Sequence, residues 1–115
     1  MLSIAERTVG DITVLELSGR LALSEGEAEF RQRIDQLVAD RRLKIIIDMK
    51  MVTYVDSAGV GALVAKFLSV RRAGGRFKLL HLTPRSNRLM GITRLQLVFE
   101  IYTSEEEAVA SFASA

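Results

Sequence analysis

Two β-rich runs of apolar and polar residues open the chain, Leu2–Val9 and Ile12–Leu17, separated by Gly10-Asp11, a tight hairpin signal. In the second run Thr13, Leu15 and Leu17 share one face and Ile12, Val14 and Glu16 the other. Apolar residues on both faces keep that strand away from a fully exposed edge. The period then changes. Ala28, Phe30, Ile34, Leu37 and Val38 form a stripe of helical spacing, Ser24-Glu25-Gly26-Glu27 reads as a capping box with Ser24 at the N-cap, and Arg41-Arg42 complement the dipole at the far end. A helix between two strands of this kind implies a parallel crossover.

The next strand is expected over Leu43–Asp48, built on Ile45-Ile46-Ile47, with a short loop through Tyr54 to Asp56. From Ser57 a second helix follows, with Val60, Leu63, Val64, Phe67 and Leu68 on one face, ending near Arg71-Arg72 where Gly74-Gly75 provides the stop. Phe77–Leu82 predicts a fourth strand. Thr83-Pro84 opens a short helix that Gly91 interrupts, and Val98–Tyr102 predicts a short fifth strand. Ser104 and Glu107 repeat the capping-box pattern ahead of Ala108, Val109 and Phe112. The order β-β-α-β-α-β-α-β-α predicts one α/β domain over residues 1–115, a mixed sheet of about four to five strands covered by about four helices.

Composition narrows the function. An apolar share of 49% in 115 residues suits a single packed core. The absence of cysteine excludes a disulfide framework and a cysteine-ligated metal. No apolar run approaches the roughly 18 to 20 residues that span a bilayer, and the N-terminus lacks a secretory pattern. The expectation is a cytoplasmic protein without membrane insertion. The net charge of +2 is uneven: Lys66, Arg71, Arg72, Arg76, Lys78, Arg85, Arg88 and Arg94 face only Glu100 between Ser57 and Tyr102. These residues are dispersed, with few aromatics among them, so a solvated face is favoured over a nucleic-acid site.

The chain is organised around Asp56-Ser57-Ala58-Gly59-Val60-Gly61, between a strand pattern and an amphipathic helix. First-turn amides have no intrahelical partner and the macrodipole is positive there, so Asp56 and Ser57 are placed to cap the helix or to meet an anion. Gly59 and Gly61 each cost about 0.8 to 1 kcal/mol in a helix, which implies that something requires the room. Catalysis is not indicated. The G-x-S-x-G elbow is absent because Val55 lies two before Ser57, and the single histidine, His81, lies in a strand pattern. Asp48 and Asp56 are isolated carboxylates without a metal-ligand set, and neither a phosphate loop nor a full dinucleotide fingerprint is present, so no cofactor or metal is expected.

Val52-Thr53-Tyr54-Val55-Asp56-Ser57-Ala58-Gly59-Val60-Gly61-Ala62-Leu63 resembles the signature of STAS domains, the family of bacterial anti-sigma factor antagonists. The likeness extends to Gly19-Arg20-Leu21, to the Ile47-Asp48 strand end, and to Phe99–Tyr102 followed by a serine-capped acidic helix. The resemblance implies that Ser57 is phosphorylated by an anti-sigma factor that is also a serine kinase. It further implies that the unphosphorylated chain binds that kinase and frees a sigma factor, and that a phosphatase acting on phospho-Ser57 resets the switch. Asp56, Ser57, Ala58, Gly59, Val60 and Gly61 would meet the partner, Asp56 either orienting the hydroxyl or serving as N-cap. Ala58 replaces a second hydroxyl residue common in the family, leaving Ser57 as the only acceptor in the turn. A monomer without direct nucleic-acid contact is expected. Two alternatives remain: a docking subunit of a larger signalling complex or lipid-transport ATPase that is never phosphorylated, and a small-ligand or nucleotide module that uses the helix N-terminus.

Overall fold

The hairpin read at Gly10-Asp11 forms as expected in the computed structural model, which describes residues 1–113. Strands β1 (Leu2–Val9) and β2 (Ile12–Leu21) pair antiparallel, Val9 opposite Ile12. The chain continues through α1 (Glu27–Ala39), β3 (Lys44–Val55), α2 (Ser57–Arg72), β4 (Arg76–Leu80), α3 (Pro84–Thr93), β5 (Glu100–Tyr102) and α4 (Glu105–Ala110), with 3-10 turns at Leu95–Leu97 and Ser111–Ala113. The sheet order is β1-β2-β3-β4-β5, and every pair after the hairpin is parallel. No helix among the described residues is long and apolar enough to cross a membrane.

Period-two alternation places β2 inside the sheet, as its two apolar faces required. Leu15 and Leu17 point into a core shared with Phe30, Ile34 and Leu37 of α1, Ala62, Leu63 and Val70 of α2, and Met90 of α3. Ile12 and Val14 point the other way, against Ile46, Leu80, Ala108 and Phe112 under α4. Three helices therefore cover one face and α4 with its 3-10 turn the other. Phe67, Phe77 and Phe99 close the α2 side of the larger core, Phe67 meeting the other two edge-on at 6.0 and 5.1 Å.

Local signals failed in several places. The N-cap of α1 is Gly26 at φ 95°, without a side-chain bond, and Ser24 is exposed. The backbone explains this: Ala22 and Glu25 exchange hydrogen bonds at 2.9 and 3.2 Å, and a Cβ on Gly26 would fall on the Arg20 carbonyl. The loop needs a left-handed residue there, which glycine supplies. Ala28 faces solvent, as does Leu68 of α2. Arg41 and Arg42 lie beyond the C-cap of α1, where Arg41 takes φ 59° and their amides bond Val38 and Leu37 carbonyls in a Schellman arrangement. Gly91 does not interrupt α3, which runs on to Thr93 and stops at left-handed Arg94. Strand β4 ends at Leu80, and β5 starts only at Glu100 because Leu95–Leu97 winds into a 3-10 turn. Ser104 does cap α4, accepting from the Glu107 amide at 3.3 Å.

The largest departure concerns β2 and β3, which run far past the expected ends at Leu17 and Asp48. Glu16 pairs with Asp48 but Ser18 with Met51, and Gly19 pairs with Val52 but Arg20 with Tyr54. Each shift inserts one extra residue into β3, a bulge that breaks the period-two pattern. Since β4 pairs no further than Asp48 while β1 pairs with β2 as far as Gly19, residues 51–55 project beyond β4 with β2 as their strand partner, and Arg20-Leu21 with Tyr54-Val55 form a two-stranded tip. The expected loop at Tyr54 is thus strand, and the Ser57 turn sits at its tip.

Candidate functional site

Asp56 is the N-cap of α2, with extended backbone at φ −104° and ψ −174°. One carboxylate oxygen accepts from the Gly59 amide at 2.9 Å, and the other from the Leu23 amide at 3.1 Å in the loop after β2. A single side chain thereby ties the β2–α1 loop to the start of α2. The Gly59 amide first and the Leu23 amide second hold the Asp56 carboxyl below the usual aspartate range, because both bonds favour the charged form.

Capping by Asp56 leaves Ser57 without that duty. Ser57 is the first helical residue, exposed, and its hydroxyl has no side-chain partner among the described residues. It stands at the positive end of a 16-residue helix, where a negative group is favoured. Ala58 is half-buried beside it, and Gly59 and Val60 are buried. At Gly59 the close neighbour is internal: an added Cβ would land on the Leu21 carbonyl oxygen, with the Leu21 carbonyl carbon and Val55 Cγ1 each at 3.0 Å. Gly61 is exposed, and a Cβ there would meet nothing within 4 Å. The two glycines therefore act differently: one lets β2 and α2 touch, and the other leaves the helix surface open.

Sequence reasoning missed the loop contributed by β2. Leu23 donates to Asp56 through its backbone while its side chain is 74% exposed, an apolar tip on the loop that Asp56 holds. Next to it, Arg20 stacks its guanidinium 4.3 Å from the Tyr54 ring and pairs with Glu25 at 2.9 Å. The signal available was Gly19-Arg20-Leu21, although only the parallel register places it opposite Val52 to Val55.

His81 lies just past β4 at φ 56°, not within a strand, with Nδ1 3.1 Å from Asp48 Oδ1. Asp48 is about 20 Å along β3 from Val55 at strand rise, so this pair belongs to another region than the Ser57 turn. The two aspartates are thus separated: Asp48 engages His81 and the Lys50 amide, and Asp56 engages backbone. The site is an exposed turn whose serine hydroxyl stands at a helix N-terminus, on a mixed sheet with helices on both faces.

Residues 3–108 match the STAS domain family, and the chain belongs to it. It is 36% identical over 72 residues to the anti-sigma-B factor antagonist of Bacillus subtilis, a match spanning 63% of this chain and 66% of that relative. An anti-sigma factor antagonist from Mycobacterium paratuberculosis superposes with a TM-score of 0.85 at 22% identity, covering 96% of this chain and 93% of the other. SpoIIAA, an anti-sigma factor antagonist of Bacillus, superposes with a TM-score of 0.74 in both its unphosphorylated and phosphorylated forms. These matches are 18% and 20% identical, covering 100% and 96% of this chain and 99% of SpoIIAA in each case.

Proposed function

We propose that this chain is an anti-sigma factor antagonist of the cytoplasm, a regulatory binding protein that catalyses nothing and is switched by phosphorylation of Ser57. Unphosphorylated, it binds an anti-sigma factor serine kinase through the turn from Asp56 to Gly61, and a sigma factor is released. The kinase then transfers a phosphoryl group from ATP to the Ser57 oxygen, and a phosphatase acting on phospho-Ser57 restores the binding form. The observation that supports this reading most directly is the division of labour in the turn. Asp56 supplies the cap, so the neighbouring hydroxyl is exposed and uncommitted at the helix N-terminus. Likeness to anti-sigma factor antagonists supports it independently.

The physics favours a switch of affinity over a switch of fold. A phosphate adds about −1.5 to −2 charges, which the N-terminal dipole of α2 accommodates. Placed in an interface beside the Asp56 carboxylate, the same dianion weakens binding by an expected factor on the order of 100. The test is incubation with the candidate anti-sigma kinase and ATP, followed by intact mass and site mapping, with Ser57→Ala as control. One phosphate on Ser57, lost affinity for the kinase and unchanged helical circular dichroism are expected. A phosphate elsewhere, or loss of helical signal on modification, would refute the mechanism. Intact binding to a transporter or scaffold with no phosphate on Ser57 would make the chain a docking subunit.

A further inference from the structure

Between Ser57 and Phe99 the chain has no Asp or Glu. Lys66 in this stretch pairs with Asp35 at 2.7 Å, and Lys78 and Arg76 reach Glu100 at 3.2 and 4.0 Å. Arg71, Arg72, Arg85, Arg88 and Arg94 have no carboxylate within 4.0 Å among the described residues. All five lie on α2 and α3 or their ends. On α2, Leu63 and Val70 face the core, so Leu68 and Arg72 point outward, while Arg71 lies 5.8 Å over the Phe67 ring. On α3, Ser86 and Met90 are buried, so Arg85, Arg88 and Ile92 occupy the opposite stripe. The Phe67–Phe99 contact at 5.1 Å brings Leu97-Val98 alongside α2.

Aliphatic tips stand among these arginines. Ile92 is 74% and Leu97 77% exposed, with Leu68 and Val98 also open to solvent. They protrude singly from two helices and a turn, a surface suited to a broad layer more than to an inserted peptide. An anionic bilayer surface matches both chemistries: phosphates accept from guanidinium groups, and the aliphatic tips enter the headgroup–acyl boundary. We propose that the outward face formed by the C-terminal half of α2, by α3 and by the turn after it adsorbs to an anionic phospholipid surface. The Ser57 turn, about 16 Å along α2 from Leu68 and about 21 Å from Arg71, stays accessible to a protein partner on the adsorbed molecule.

Co-sedimentation with vesicles tests this, using phosphatidylglycerol mixed with phosphatidylcholine, and phosphatidylcholine alone, at low and high salt. The wild-type chain is expected to bind only the anionic vesicles and to be released by salt. The double substitution Arg85→Glu with Arg88→Glu is expected to weaken partitioning by a factor on the order of 100 or more, and Ile92→Ser with Leu97→Ser by roughly tenfold. Thermal unfolding verifies that each variant folds; should the charge reversal fail to fold, Arg85→Gln with Arg88→Gln replaces it, with roughly a 30-fold loss expected. Absence of wild-type binding to anionic vesicles at low salt, equal binding to neutral ones, or undiminished binding by the arginine variants overturns the proposal. If vesicles are ignored while the arginine variants lose affinity for the anti-sigma kinase, the face is a protein contact and the lipid assignment fails.

Discussion

Replacing Gly59 with alanine should unfold the protein more easily, whereas the same change two residues later at Gly61 should stabilise it. The Gly59 methyl would fall on the Leu21 carbonyl oxygen, with the Leu21 carbonyl carbon and Val55 Cγ1 at 3.0 Å. Leu21 is fully buried at the end of β2, and its carbonyl also receives the Asp56 amide at 3.4 Å, so the obstacle is backbone that cannot rotate aside. Overpacking of this kind costs about 1 to 3 kcal/mol, with the upper end fitting a backbone clash, and the helix propensity of alanine offsets about 1 kcal/mol. The net expectation is a loss of about 2 kcal/mol. At Gly61 nothing lies within 4 Å, so only the propensity gain of about 1 kcal/mol remains. The variants should differ by about 3 kcal/mol, or roughly 10 °C in Tm for a chain of this size. Urea titration with an unchanged m-value reads the difference directly. A Gly59→Ala protein as stable as wild type would refute the argument that β2 closes on α2 at this point. A bulkier change, Gly61→Leu, should leave folding nearly intact and weaken partner binding, and equal loss of both would contradict the open surface.

Acid and the buried lysine offer two further tests. The carboxyl groups of Asp56, Glu105 and Asp11 are held below their ordinary ranges by the Gly59 and Leu23 amides, by Arg7 and by Lys44 respectively. For a depressed carboxylate the stabilisation is complete above the unfolded pKa, about 3.9 for Asp and 4.3 for Glu, and is lost as pH falls through the folded pKa. Urea midpoints should therefore stay level from about pH 7 to 5 and fall below about pH 4.5, and a rise in stability on acidification below pH 4 would contradict the assignment. Lys78 is fully buried, donating to Ser111 Oγ at 2.6 Å, lying 4.4 Å from the Phe112 ring centroid and pairing with half-exposed Glu100. Because Glu100 stays wet and Ser111 retains its bond to the Ala108 carbonyl, Lys78→Met should leave unfolding free energy within about 1 kcal/mol of wild type or raise it. A loss above about 2 kcal/mol by chemical denaturation would show that the ammonium group itself holds α4 in place.

Where a signal was both local and periodic, sequence and structure agree. The hairpin at Gly10-Asp11, the inward stripes of α1 and α2 apart from Ala28 and Leu68, and the serine cap of α4 each depend on neighbours within a few residues. Ser24 shows the limit of that locality. Its capping box had the right residues, but the turn from Ala22 to Gly26 required a left-handed backbone next to the Arg20 carbonyl, and glycine took the cap. The strand ends failed for a related reason, since a bulge is defined by the register of the partner strand and leaves no period of its own.

The sequence by itself determined the order of elements, the mixed sheet, and Ser57 at a strand-to-helix turn, because hydrophobic periodicity and turn residues act over one element at a time. Tertiary structure alone decided how that turn is held. Two bulges in β3 carried it onto a projection beyond β4, the parallel register brought Leu21 against Gly59, and Leu23 supplied the second amide to Asp56. Those contacts join residues more than thirty positions apart, and a hydrogen bond or a van der Waals limit between distant segments has no trace in the spacing of either one.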